Sequence, residues 1–292
     1  MEKYERLCVQ EIENLSRNTV YCFLKSQNIS EHYIKNLKKS QDAILLNGQP
    51  TTMRQTVKIG DVLSLLKNPA PSNNIVECEG ILNILFEDDD YLIVNKPHNL
   101  ACIPTRSHLN SNLGGQIAKY LKQEDPNFTL RILNRLDKES AGIIVVAKNV
   151  VAYQKAKLEK TYFAICHGNF DRQSFVIDKN ILTITNNGIN QMKRVVDKQG
   201  KPAITHVEVV KQMQNFALLK LILETGRTHQ IRVHLSSENH PLVGDNVYGV
   251  EDGFNHSFLL LKHISFKHFR TDKQIDIEIP FPDEWNSIIK NP

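Results

Sequence analysis

Short apolar runs, closed off by turn residues, punctuate most of this 292-residue chain. Ile81 to Phe86 and Tyr91 to Asn95 read as paired strands around the acidic turn Glu87-Asp88-Asp89-Asp90. Ile143 to Ala147 has the length and composition of a buried strand, and Tyr162 to Cys166 is another. Val207 to Val210 and Phe216 to Leu223 alternate as a hairpin does, and Phe258 to Phe266 with Ile275 to Ile279 give a further pair. A helix is expected near Leu113 to Gln123. Strands dominate, helices fall irregularly between them, and no βαβ period appears. The pattern predicts an α+β fold with a mixed, mostly antiparallel sheet, not a doubly wound parallel one.

A smaller unit precedes this region. Val20 to Leu24 and Ser30 to Lys38 suggest two short helices, the second with a capping Ser30 and an apolar face through Ile34 and Leu37. Ala43 to Gly48 is a strand running into an Asn-Gly turn, and Val62 to Leu66 follows the turn Ile59-Gly60-Asp61. Lys67 to Asn74 is rich in Pro, Asn and Ser and reads as a linker. The expected division is a small α/β module at 1–70, a linker at 71–78 and a large domain at 79–292.

Composition narrows the function classes. Apolar residues at 41% and charged residues at 23% suit a globular protein with a real core. No run approaches the ~18 apolar residues of a membrane span. The acidic N-terminal stretch lacks the apolar segment of a signal peptide, so a cytoplasmic protein is expected. Five scattered cysteines without C-x-x-C argue against a disulfide framework or a zinc site. The run Glu87 to Asp90 lacks the ligand spacing of a calcium loop and reads as a solvated turn. The net charge of +4 falls mostly in the first 70 residues, a weak pointer toward nucleic acid. The phosphate-binding glycine motifs and the serine-nucleophile elbow are missing, so neither a nucleotide cofactor nor a metal is expected.

Four segments could carry chemistry. Asn134-Arg-Leu-Asp137-Lys-Glu-Ser-Ala-Gly142 is a polar turn before a buried strand; by itself Asp137 could be half of a surface ion pair. Thr225-Gly-Arg-Thr-His-Gln-Ile-Arg-Val-His234 concentrates donors in a turn leading into a helix or short strand, a natural anion site. His229 and His234 are five apart and do not match a zinc pair. His240-Pro-Leu-Val-Gly-Asp-Asn-Val-Tyr-Gly249 is a turn with two glycines and an aromatic. In Glu159-Lys-Thr-Tyr162-Phe-Ala, strand alternation sets Tyr162 and Ala164 against Phe163, so Tyr162 is either packing or a stacking platform for a base.

Together these segments resemble the RluA family of RNA pseudouridine synthases, in order and spacing, over roughly residues 79–285. Arg135 to Lys148 is similar to the family's central motif, Lys160 to Ala164 to its tyrosine motif, and Thr225 to Gly249 to its arginine motif. The resemblance implies the pseudouridine synthase fold and an isomerase that turns chosen uridines of a structured RNA into pseudouridine without a cofactor. It places the catalytic Asp at Asp137, the active-site Tyr at Tyr162 and the basic partner at Arg232, with Arg135, Lys160, Arg227, His229 and Gln230 as contacts to RNA or the target base. Leu45-Leu-Asn-Gly-Gln49 and Ile59-Gly-Asp61 resemble a small RNA-binding module of S-four type at the N-terminus. Asn134 stands where a His is usual, Ser140-Ala141 where Thr-Ser is usual, and the stretch from Lys148 to Lys160 is several residues shorter than in relatives.

The expected partner is RNA, either large-subunit ribosomal RNA or transfer RNA, with no membrane partner and a monomeric protein. Two rival readings compete: a base-cleaving hydrolase, which would bring a second acid beside Asp137, and a non-catalytic RNA-binding factor, which would not need Asp137 or Tyr162.

Overall fold

The computed structural model describes residues 4–9, 17–40, 42–69, 75–105, 108–185 and 192–290. The N-terminal part holds β1 (Tyr4–Cys8), α1 (Val20–Ser26), α2 (Glu31–Lys39), β2 (Ile44–Leu46), β3 (Gln49–Pro50) and β4 (Val62–Leu66). Its strands form a four-stranded sheet in the order β1-β4-β2-β3. Both helices start on a side-chain cap: Thr19 Oγ1 accepts from Cys22 N–H and Ser30 Oγ from Tyr33 N–H. The β2–β3 turn uses Asn47 and Gly48, both at positive φ, the conformation that suits the twist of a tight hairpin. Phe23, Leu24, Ile34, Leu37, Leu63 and Leu65 are buried between helices and sheet. β1 has no counterpart in the sequence reading, because Tyr-Glu-Arg-Leu-Cys shows little apolar alternation; its pairing with β4 creates it.

The remainder is built on β5 (Asn83–Glu87), β6 (Tyr91–Lys96), α3 (Leu113–Lys122), β7 (Ala141–Ala147), α4 (Val150–Lys155), β8 (Glu159–His167) and β9 (Ser174–Asp178). It continues through β10 (Ile181–Thr185), β11 (Met192–Val196), β12 (Ile204–Gln212), β13 (Phe216–Leu223), α5 (Gln230–Ser237), β14 (Leu259–Lys267), β15 (Gln274–Glu278) and α6 (Asp283–Lys290). A nine-stranded sheet runs β5-β6-β7-β14-β8-β13-β12-β9, with β15 added to β14. The β7–β14 pair is parallel and the other named pairs are antiparallel, so the fold is α+β with a mixed, mostly antiparallel sheet. β10 and β11 form a separate two-stranded hairpin. Neither this hairpin nor β9 nor α6 was legible in the apolar pattern.

The two parts touch through apolar and charged contacts. Val150 and Val151 of α4 pack into the N-terminal core. Arg270 donates to Asp90 on one side and to the buried Glu5 on the other, at 2.6 Å each. The start of the Pro-, Asn- and Ser-rich stretch from Lys67 is also held: Asn68 is buried and accepts from Arg131 Nη2 at 2.9 Å. Residues 70–74 lie outside the described residues.

One row across the sheet positions the site. Gly142 lies beside Leu261, Leu261 opposite Tyr162, and Tyr162 opposite Leu221. The Asp137 turn enters β7 at one end of this row. β13 leaves it just before the turn at Thr225 to His229. Gly142 has φ +126°, and a Cβ there would stand 2.4 Å from the Leu261 carbonyl oxygen. Only glycine fits that approach. Gly142→Ala is expected to cost at least about 1–3 kcal/mol from the backbone conformation alone, read as a lowered melting temperature. An unchanged melt would mean that the strands part easily at this point.

Candidate active site

The eight residues singled out above all line one cleft of about 560 Å³. Asp137 is 24% exposed at its side chain. Its Oδ2 lies 3.6 Å from Arg232 Nη1 and its Oδ1 lies 3.8 Å from His229 Nε2. Both separations exceed hydrogen-bond length, so the carboxylate is flanked by Arg232 and His229 without being consumed by a bond to either. Tyr162 is buried on β8, and its hydroxyl has no hydrogen-bond partner among the described residues. Burial, reinforced by the charge of Asp137, pushes that phenol well above its ordinary pKa.

The loop bearing Asp137 is held from below. Asn134 donates from Nδ2 to the Ile143 carbonyl and accepts at Oδ1 from Val145 N–H, each at 2.9 Å. An amide supplies one donor and one acceptor there, which is what the two facing backbone groups of β7 require. Lys96 closes the other side. It is fully buried at the end of β6 and donates to the carbonyls of Pro97 and Leu100 at 2.9 Å and of Lys138 at 3.2 Å. Burial pulls its pKa down to about 8, against the opposing charges of Cys102 and Asp137. Leu136 N–H donates to Cys102 Sγ at 3.3 Å. The sequence reading did not single out Lys96. A lysine ending an apolar strand is the signal that would have found it, because a buried ammonium must be met by acceptors.

Arg232 rises from α5, which the sequence left open between helix and strand. It is buried and forms a two-pronged pair with the fully buried Asp245: Nε to Oδ2 and Nη2 to Oδ1, both 2.7 Å. Nη2 also lies 2.8 Å from Glu139 Oε2. Burial alone would lower the Arg232 pKa, but the bond to Asp245 and the surrounding acids hold it above its ordinary value. His229, at φ +57°, heads the helix and hydrogen-bonds through Nδ1 to the Tyr248 hydroxyl at 2.9 Å. Burial lowers its pKa and Asp137 opposes that shift.

The other predicted contacts divide. Arg135 is exposed, with no ion pair or hydrogen bond among the described residues. Lys160 is half-buried, and burial lowers its pKa. Arg227 is exposed and anchored by Nε to the Pro202 carbonyl at 3.0 Å. Gln230 differs: it is buried, its Oε1 accepts from Thr225 Oγ1 and Arg227 N–H, and its Nε2 donates to Ile204 O and Thr205 Oγ1. Its hydrogen-bonding capacity is spent on holding the turn that carries Arg227 and His229.

Among the described residues, two groups of potential metal ligands lie outside the cleft. His98, His256 and Glu284 gather their ligand atoms within 4.8 Å, but the imidazoles stack face to face at 11° with centroids 3.8 Å apart, so their in-plane lone pairs lie in separate, nearly parallel planes and are poorly placed to meet at one ion. In Asp88, Asp90 and His268, the Arg270 guanidinium already sits on Asp90.

A profile of the RNA pseudouridylate synthase family matches residues 90–237. The Bacillus subtilis RNA pseudouridine synthase YlyB is 32% identical over 85% of this chain and 85% of its own length. The ribosomal large subunit pseudouridine synthase D of Buchnera aphidicola is 36% identical over 70% and 66%. The solved structure of human RNA pseudouridylate synthase domain containing 1 superposes with a TM-score of 0.54 at 25% identity, covering 68% of this chain and 83% of that one. Among the described residues, no helix is long and apolar enough to cross a membrane. The chain belongs to the RluA family of RNA pseudouridine synthases, and is thus an RNA-modifying isomerase.

Proposed function

We propose that this enzyme converts specific uridines of large-subunit ribosomal RNA to pseudouridine, with Asp137 as the reacting carboxylate. The observation that carries the reading is Asp137 itself, open to the cleft with one oxygen facing Arg232 and the other His229, both beyond bonding distance. The reaction breaks the ribose bond to nitrogen 1, turns the uracil and rejoins ribose to carbon 5, so atoms balance without a cosubstrate. An anionic oxygen is needed either to attack or to take a ribose proton. The target must leave its stack to reach a cleft of this size. The names of the ribosomal large subunit relatives support ribosomal RNA over transfer RNA.

Tyr162 would hold the freed uracil against its ring, with its hydroxyl placed to help remove the proton from carbon 5. The high pKa of that phenol keeps it protonated at rest, so its oxygen takes the carbon 5 proton only while passing its own proton to a base such as the Asp137 carboxylate. Tyr162→Phe is therefore expected to keep RNA affinity and slow a late step by about 10²-fold, seen as a lag between base detachment and pseudouridine in single-turnover assays. Wild-type turnover would confine Tyr162 to packing. The exposed Arg135 and Arg227 and the half-buried Lys160 would meet the RNA around the flipped nucleotide. Gln230, with its amide spent internally, is assigned to shaping the turn and not to RNA.

The N-terminal part, 1–70, acts in this reading as an S-four-like RNA-binding module. It presents an open groove of about 1230 Å³ lined by Arg17, Tyr21, Lys38 and Arg54, three of them exposed cations. Removing the whole module would uncover Val150 and Val151, so point changes are the better probe. Lys38→Glu with Arg54→Glu is expected to weaken RNA binding and to flatten the slope of log K against log salt by about one for each phosphate left without its cation. Unchanged affinity would give the groove another task. The reading as a whole is tested by incubating the protein, a monomer of the cytoplasm in this view, with large-subunit ribosomal RNA and transfer RNA and mapping pseudouridine. Modified transfer RNA alone would replace the proposed target, and free uracil would replace the reaction.

A further inference from the structure

The hydroxyl of Tyr248 meets two groups. It lies 3.1 Å from the backbone nitrogen of Arg194 on β11 and 2.9 Å from Nδ1 of His229. A backbone N–H only donates, so Arg194 occupies a lone pair of the phenol. The phenolic proton then has one acceptor among the described residues, His229 Nδ1. An imidazole whose Nδ1 accepts carries its own proton on Nε2. That nitrogen is the one lying 3.8 Å from Asp137 Oδ1.

The surroundings favour a neutral ring. Burial opposes its charge most strongly, Arg232 and Arg194 repel it, and Asp137 and Asp245 do not outweigh them, so its pKa falls below the ordinary value. The phenol stays protonated, since burial raises its pKa against the lowering effects of the Arg194 N–H bond and the Arg232 charge. Neutral imidazole has two tautomers with opposite consequences. With the proton on Nε2, a donor edge faces the carboxylate. With the proton on Nδ1, a lone pair would face it and repel it.

We propose that Tyr248 is a positioning residue that locks His229 as the neutral Nε2–H tautomer, so that a donor faces Asp137 Oδ1 while Arg232 faces Oδ2. The catalytic consequence rests on Asp137 being the reacting carboxylate; the tautomer does not. Tyr248→Phe isolates the lock, because the ring that packs at 5.6 Å from His229 and 5.3 Å from the Arg232 guanidinium carbon is retained.

The test is long-range proton–nitrogen NMR on the full chain labelled with nitrogen-15 histidine, without RNA, the His229 signals being identified by their loss in His229→Gln. Near neutral pH the wild type should show His229 protonated at Nε2 alone. Tyr248→Phe should populate the Nδ1–H form and raise the His229 pKa, because the bond that favoured the neutral ring is gone. Single-turnover conversion should fall by about tenfold to a hundredfold with RNA affinity unchanged. An Nδ1–H or doubly protonated His229 in the wild type, or an unaltered tautomer in Tyr248→Phe, overturns the lock. An altered tautomer with a wild-type rate overturns the positioning role. Since the NMR is read on the protein alone, failure of the lock is distinct from failure of the Asp137 assignment, which shows in the activity of Asp137→Asn.

Discussion

Asp137→Asn is expected to cut pseudouridine formation by roughly 10⁴-fold or more while leaving the melting temperature and RNA affinity nearly unchanged. Two features of the cleft make such a clean separation possible. The Asp137 side chain makes no contact shorter than 3.6 Å with Arg232 or His229, so its charge anchors nothing by a tight bond. Arg232 keeps Asp245 and Glu139 when the charge at 137 is removed, so no cation is stranded. Asparagine has the same shape and retains an acceptor oxygen, but it is neither a nucleophile nor a base at neutral pH. Binding, which in this reading is spread over Arg135, Arg227, Lys160 and the N-terminal groove, should persist. The measurement is single-turnover conversion beside a direct binding titration. Near-normal conversion would move the chemistry elsewhere in the cleft, and a large loss of affinity would make Asp137 a binding residue.

The parts of this architecture that sequence revealed are those where local pattern and tertiary demand coincide. Val145 and Val146 are buried because β7 is covered on both faces, and an unbroken apolar run is how such a strand reads. β1, β9 and the β10–β11 hairpin lie at sheet edges or apart from the main sheet, where one side of each strand is wet and the apolar signal is diluted. At the site, outward-facing residues were legible because their types are unusual in clusters. The supporting roles were not, even where the residue itself stood in a motif, as Asn134 and Tyr248 do. Lys96, Cys102, Asn134 and Tyr248 act through backbone groups or through one another, at separations of up to 54 residues. Gln230 shows the converse: the motif marks it, yet its amide serves the turn and not the cleft.

Arg232→Met should be the most destabilising substitution in the cleft, by about 3–5 kcal/mol, because it strands a buried carboxylate. Asp245 is fully buried and loses both of its 2.7 Å bonds to the guanidinium, keeping only the N–H groups of Val247 and Tyr248 at 3.0 Å. The pH dependence identifies the cause. In the wild type, burial raises the Asp245 pKa but the bond and charge of Arg232 outweigh it, and the net shift is downward. A depressed carboxyl contributes stability that is present above its unfolded pKa, about 3.9, and is lost as pH falls through the lower folded value. Without Arg232, burial dominates and the folded pKa moves above the unfolded one, so the variant is penalised at neutral pH and relieved by acid. The stability gap between the two proteins should therefore be widest near neutrality and narrow as pH falls toward 4 and below, followed by denaturant unfolding at each pH. Adding Asp245→Asn should recover part of the loss at neutral pH, since a neutral amide still accepts from Val247 and Tyr248. A gap that stays constant with pH would assign the cost to lost packing of the guanidinium over Tyr248 instead of to the stranded charge.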